Sequence, residues 1–139
     1  MPGEPNEVNW RGVRPVSGIR GVWPARNSVR VYEEGYQSSR GTAIVYTVPA
    51  NKKLFISGHL LSSLEETGAF ATMRMGVRNS DDALMYWMQY QYYDIPGQQT
   101  TPMAHQPALE AEAGYDVFVQ SSHTYVSGRG LIFGWLEDA

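Results

Sequence analysis

The sequence predicts an all-β fold, an eight-stranded antiparallel jelly-roll sandwich with an extended N-terminal arm. Three observations predict it. Apolar and polar residues alternate in eight separate stretches. Turn-forming residues separate these stretches roughly every 8–14 positions. No stretch sustains a helical period. At 139 residues the chain fits one domain, divided here into an arm over 1–28 and a sandwich over 29–139.

The arm carries Pro2, Pro5, Pro15 and Pro24 with Gly3, Gly12, Gly18 and Gly21 between them. Prolines at this density exclude a helix and a central strand. Val8, Trp10, Val13, Val16, Ile19, Val22 and Trp23 make the segment too apolar for a solvated linker. Residues 1–30 hold five arginines and two glutamates, whereas the rest of the chain is acidic. An arm of one sign on a body of the other suits contact between subunits. Trp10, Arg11, Arg14, Arg20, Trp23 and Arg26 are therefore the candidate residues for gripping a neighbour. A solvated basic leader is the plainer alternative.

The first strand spans Ser28–Glu33, and the second, Thr42–Val48, ends at the turn Pro49-Ala50-Asn51. Asn at the third position tolerates positive φ. The third strand, Lys52–Leu61, points Leu54, Ile56 and Leu60 inward and Lys53, Ser57 and His59 outward. Gly58 falls on its inward face, where a bulge or a close neighbour is expected. The fourth strand alternates most cleanly, with Ala69, Ala71, Met73, Met75 and Val77 inward. The fifth, Ala83–Tyr93, sets Leu84, Tyr86, Met88, Tyr90 and Tyr92 on one face and Met85, Trp87, Gln89, Gln91 and Tyr93 on the other. A polar connection over Gln98–His105 precedes the sixth strand, Gln106–Ala113, where Pro107 points to an edge. Gly114 makes a corner before the seventh, Tyr115–Ser121.

The eighth strand, Tyr125–Leu136, is apolar on both faces, with Val126, Ile132 and Leu136 on one and Leu131, Phe133 and Trp135 on the other. One face meets the core, and the second needs another cover. The fifth strand shares this property. Trp87, Tyr93, Leu131, Phe133 and Trp135 are thus the expected interface of a homo-oligomer. The alternative for the fifth strand is a carbohydrate platform built on Trp87, Tyr90 and Tyr93.

Catalytic and cofactor motifs do not emerge. There is no cysteine, which excludes thiolate metal sites and a Cys nucleophile. His59, His105 and His123 lack the spacing of a jelly-roll metal centre and read as surface or loop residues. Glu65-Glu66 and Asp81-Asp82 read as solvated loop charge. Glu110 and Glu112 share a strand face about 7 Å apart, a separation that glycosidase carboxylates use. No catalytic residue, metal or cofactor is assigned. A net charge of −3 gives no nucleic-acid signature. No apolar run is long enough to span a membrane, and no export signal is evident, so a soluble protein is expected.

Three stretches carry a resemblance: Tyr46-Thr47-Val48-Pro49-Ala50-Asn51-Lys52-Lys53-Leu54-Phe55-Ile56, Ala113-Gly114-Tyr115-Asp116-Val117-Phe118-Val119 and Gly130-Leu131-Ile132-Phe133-Gly134-Trp135. Together, across roughly residues 41–136, the chain resembles the small β-sandwich virion proteins of tailed bacteriophages. These include capsid decoration (cement) proteins and head- or tail-fibre domains. The resemblance implies a jelly roll, often a homotrimer, seated on a major capsid protein or another virion protein. It implies a non-enzymatic role in the virion. The fibre type implies a receptor- or carbohydrate-binding domain instead.

Overall fold

The computed structural model describes Val22, Pro24, Ala25, residues 27–68 and residues 70–139. Eight strands follow in order: β1 (Val29–Gln37), β2 (Gly41–Thr47), β3 (Lys52–Glu65), β4 (Ala71–Arg78), β5 (Leu84–Tyr93), β6 (Gly97–Ala111), β7 (Asp116–Ser121) and β8 (Val126–Asp138). They form two four-stranded sheets, ordered β1-β8-β3-β6 and β2-β7-β4-β5, with every pairing antiparallel. Successive strands β1 to β4 alternate between the sheets, which is the wrapping of a jelly roll. The arm residues Trp10, Arg11, Arg14, Arg20, Trp23 and Arg26 lie outside the described residues, as does Ala69.

The core lies between the sheets. Leu54, Ile56, Leu61 and Ile132 from one sheet meet Met73, Met75, Val77, Val117 and Val119 from the other, all fully buried. Gly128 and Gly130 let the sheets approach here. A Cβ on Gly130 would lie 2.5 Å from a Val119 methyl, and one on Gly128 would lie 2.6 Å from Met73 Cε. The turn at Asn51 has φ of 63° and the corner at Gly114 has φ of 82°, as their residue types demand.

Three elements differ from expectation in extent, β1 running on past Glu33 to Gln37. β3 continues past Leu61 to Glu65, and β6 begins at Gly97 rather than Gln106. The polar stretch 98–105 is thus strand. It is an edge strand bonded only to β3, so Pro102 and Pro107 leave no central ladder donor missing.

Two strands, β3 and β5, differ in phase, and bulges are the reason. Between Ile56 and Gly58 the pairing of β3 with both neighbours shifts register. Beyond it His59, Leu61, Ser63 and Glu65 point inward, whereas Leu60 is only half-buried. His59 was expected outward and Leu60 inward; the extra residue exchanges them. Gly58 turns to the outer face, beneath the Phe133 ring. In β5, Met75 pairs with Gln89 but Gly76 pairs with Trp87, so Met88 is the extra residue. Trp87 therefore joins Tyr90 and Tyr92 outside, and Gln89, Gln91 and Tyr93 face inward. The expected grouping of Trp87 with Tyr93 on one face is corrected accordingly.

Candidate functional site

Strand twist and alternation leave each sheet an outer face, and both outer faces carry aromatic side chains. On the β1-β8-β3-β6 sheet, Trp135 stacks on Phe55 with ring centroids 5.4 Å apart and planes at 10°. Ala108 completes this small buried cluster. The indole Nε1 donates to Glu137 Oε2 at 2.7 Å, and the backbone N–H of Ala25 donates to the same oxygen at 3.0 Å. The chain entering β1 is thereby fastened beside Trp135.

Past Trp135 the face opens. Tyr32 pairs across from Phe133, Glu34 from Leu131 and Tyr36 from Arg129. Tyr32 is 65% exposed, Tyr36 53% and Phe133 40%, while Leu131 is half-buried. One groove is bordered by Pro24, Ala25, Arg30, Tyr32, Phe133 and Trp135. A second, bordered by Glu34, Tyr36, Leu60, Leu64, Arg129 and Leu131, continues along the same strands. Both lie over β1, β8 and β3.

The outer face of the other sheet bears a packed row. Phe118 meets Trp87 edge-on at 5.5 Å, Trp87 meets Tyr90 at 5.3 Å, and Tyr90 stacks on Tyr92 at 5.6 Å. The Arg74 guanidinium lies 4.8 Å from the Trp87 ring centre, and that of Arg78 lies 5.4 Å from Phe118. Arg74 Nη2 also donates to Gln120 Oε1. Sugar stacking needs an open aromatic face. Here Tyr90 and Tyr92 each cover one face of the other and Arg74 lies over one face of Trp87, while Tyr92 stays 59% exposed.

Of the five residues expected at an oligomer interface, Trp87, Leu131 and Phe133 lie on outer faces with partial exposure. Trp135 also lies on an outer face but is covered by its own chain. Tyr93 is inside the sandwich, where its hydroxyl donates to the Ser63 carbonyl at 3.0 Å. The β5 bulge separates it from Trp87, and the alternation of the sequence carried no sign of that break.

The interior holds a polar cluster that sequence reasoning missed. His59 on β3, fully buried, lies between Gln89 of β5 and His105 of β6. Gln89 Oε1 accepts from His59 Nε2–H at 2.7 Å, which leaves Nδ1 to accept from His105 Nε2–H at 2.8 Å. This assignment makes the His59 ring neutral, with Nε2 protonated and Nδ1 an acceptor. Burial, the largest cause for each, pushes both imidazoles below their ordinary value. Both His59 nitrogens are thus engaged, and among the described residues no three His, Cys, Asp or Glu gather to hold a metal ion. The expectation of three surface or loop histidines holds only for His123, which lies in the β7–β8 connection. The second row, Ser63, Gln91 and Tyr93, is linked by hydrogen bonds in the same gap between the sheets.

The paired carboxylates also have structural partners. Lys53 Nζ lies 2.5 Å from Glu110 and 2.9 Å from Glu112, so the pair clasps an ammonium. Glu65 is buried rather than solvated. Its carboxylate accepts from the Thr67 and Gly68 backbone N–H groups at 2.8 and 2.7 Å, closing the β3–β4 turn.

No protein-family model matches the chain, and no curated protein sequence is similar to it. Among solved structures, it is similar to a chain of the acid-stable capsid of Helicobacter pylori bacteriophage KHP30. The TM-score is 0.51 at 9% identity, covering 81% of this chain and 97% of that one. A chain of the cyanophage Pam1 capsid asymmetric unit aligns at a TM-score of 0.40 and 16% identity, over 78% and 84% of the two chains, too distant to carry an argument. At such identities the KHP30 likeness establishes a shared fold.

Proposed function

We propose that this chain is a non-enzymatic structural protein of a bacteriophage virion, a homotrimeric capsid decoration protein that binds and stabilises the shell. One observation carries the reading. Both outer faces of a small sandwich bear aromatic side chains beyond those its core needs, with Tyr32, Phe133 and Leu131 on one and Trp87 on the other. Contiguous apolar surface of this kind marks a face that another protein covers. The fold shared with a chain of a phage capsid supports the setting. In the proposed trimer, Trp87, Leu131 and Phe133 meet a neighbouring subunit. The arm over 1–28, with its arginines and Trp10 and Trp23, extends the contact towards the major capsid protein. Attachment stabilises the assembled shell by mass action, because the protein binds the closed form.

The test is the mass of the purified protein in solution, followed by binding to empty shells. A threefold mass and saturable binding, both reduced by Phe133→Ser, support the proposal. A monomer that sediments apart from shells overturns it.

A further inference from the structure

Six cations follow residue 30, and the chain pairs most of them itself. Lys52 reaches Asp138 at 2.7 Å, and Lys53 holds Glu110 and Glu112. Arg78 lies 3.3 Å from both Asp82 and Asp116, and Arg129 lies 4.0 Å from Glu34. Among the described residues, Arg40 and Arg74 have no carboxylate within ion-pair distance. Arg40 is exposed to water, whereas Arg74 is half-buried and held in place. Its guanidinium lies 4.8 Å from the Trp87 ring centre and 5.6 Å from that of Tyr90. Nη2 donates to Gln120, whose own amide donates to Thr42 Oγ1 at 3.3 Å. Nη1 has only the Tyr90 hydroxyl, at 3.5 Å, and the shielded Nε has no acceptor. A guanidinium has more N–H donors than these acceptors satisfy. A cation fixed on an aromatic face with donors to spare is a socket for a carboxylate.

We infer that the Asp94-Ile95 turn of a second copy of this chain fills this socket, with Asp94 paired to Arg74 and Ile95 laid against the Trp87–Tyr90 row. This contact rests on the homo-oligomer proposed above and names where two copies touch. Among the described residues, Glu33, Glu66, Asp81 and Asp94 are exposed carboxylates with no cation in reach. Of these, Asp94 adjoins an exposed aliphatic side chain, Ile95, which is 69% exposed. Glu33 follows exposed Tyr32, but neighbours on a strand point to opposite faces. The turn carrying Asp94 is braced. Pro96 lies so near Gly68 that a Cβ there would sit 3.2 Å from it, and Glu65 holds the Gly68 N–H. Asp94 is four residues past Tyr90, the partner of Arg74 on β5, or about 13 Å along the strand. Exposed Tyr92 lies between them, with Phe70 beside it at 6.5 Å, so the charge pair has an apolar surround. Turn and socket thus share one corner of the molecule. Successive copies then rotate about an axis beside that corner and close into a ring rather than stacking in a line.

Charge reversal separates this contact from assembly as such. Sedimentation of the full-length protein over a dilution series gives its association constant. Arg74→Glu alone and Asp94→Arg alone should each weaken association about a hundredfold, because each sets like charges against one another. The double variant Arg74→Glu/Asp94→Arg should return to within about tenfold of the native protein. Circular dichroism checks that each variant keeps the sandwich. Asp94 lies on an exposed turn, so its single reversal reads out the contact even where Arg74→Glu disturbs the fold. A native protein that stays monomeric overturns this contact together with the proposed oligomer. A native oligomer that Asp94→Arg leaves unchanged overturns the contact alone, as does a folded double variant no stronger than the singles.

Discussion

The His59 ring lies parallel to that of His105, with centroids 5.0 Å apart, planes at 17° and a 2.8 Å hydrogen bond between ring nitrogens. Burial disfavours the charged form of both imidazoles. Charging either places a cation against the ring stacked on it, and a proton on His59 Nδ1 also displaces the bond that atom accepts from His105.

Stability should therefore fall on acidification. Both folded pKa values lie below the ordinary 6.5. The unfolded chain takes up protons first as pH drops, so the contribution is complete above about 6.5 and is lost as pH falls through the lowered values. Urea midpoints measured between about pH 7.5 and about pH 5 should decline, and His105→Gln should flatten the decline. A variant profile parallel to that of the native protein would remove the pair as its cause.

Trp135 and Phe133 are neighbours but one step apart on β8, and they should part company in experiment. Trp135→Ala empties the pocket against Phe55 and Ala108 and strands Glu137 without the indole donor. It should cost about 3–5 kcal/mol in chemical denaturation. Phe133→Ala removes a partly exposed ring and should cost about 1 kcal/mol, while weakening association. Equal losses would contradict the burial difference between them.

Trp87→Ala should cost about 1–2 kcal/mol, the worth of its edge contacts and the Arg74 guanidinium above it. Glycan arrays should show no signal that depends on Trp87, because its face is occupied. Specific binding abolished by the substitution would reverse that conclusion and favour a carbohydrate-binding role.

Gly134→Ala and Gly128→Ala separate rigid from yielding neighbours. A Cβ at Gly134 would fall 1.8 Å from the Phe55 carbonyl oxygen, part of the adjacent strand. At Gly128 it would meet the flexible end of Met73. The first should abolish soluble folded protein. The second should lower the thermal midpoint by a few degrees, about 1–2 kcal/mol of overpacking.

Most strand positions were legible because alternation is local. Met73, Met75 and Val77 on β4 and Val117 and Val119 on β7 announce their inward face within a few residues, as do Ile132 and Leu136 on β8. Asn51 and Gly114 likewise announce their turns, since few residues adopt those backbone angles. β6 was half hidden, because an edge strand needs neither an apolar face nor uninterrupted donors.

Taken alone, the chain's own order of residues settled the all-β class, the eight strands and the surplus of apolar side chains on β5 and β8. The partner strands settled the rest. A bulge exists only in a pairing, as the residue on one strand that finds no counterpart on the next. The shift at Ile56/Gly58 brought His59 inside to His105 and Gln89, and the shift at Gln89/Trp87 sent Tyr93 inward and left Trp87 outside. Each inserts a single residue into a period of two, and every side chain beyond it changes face.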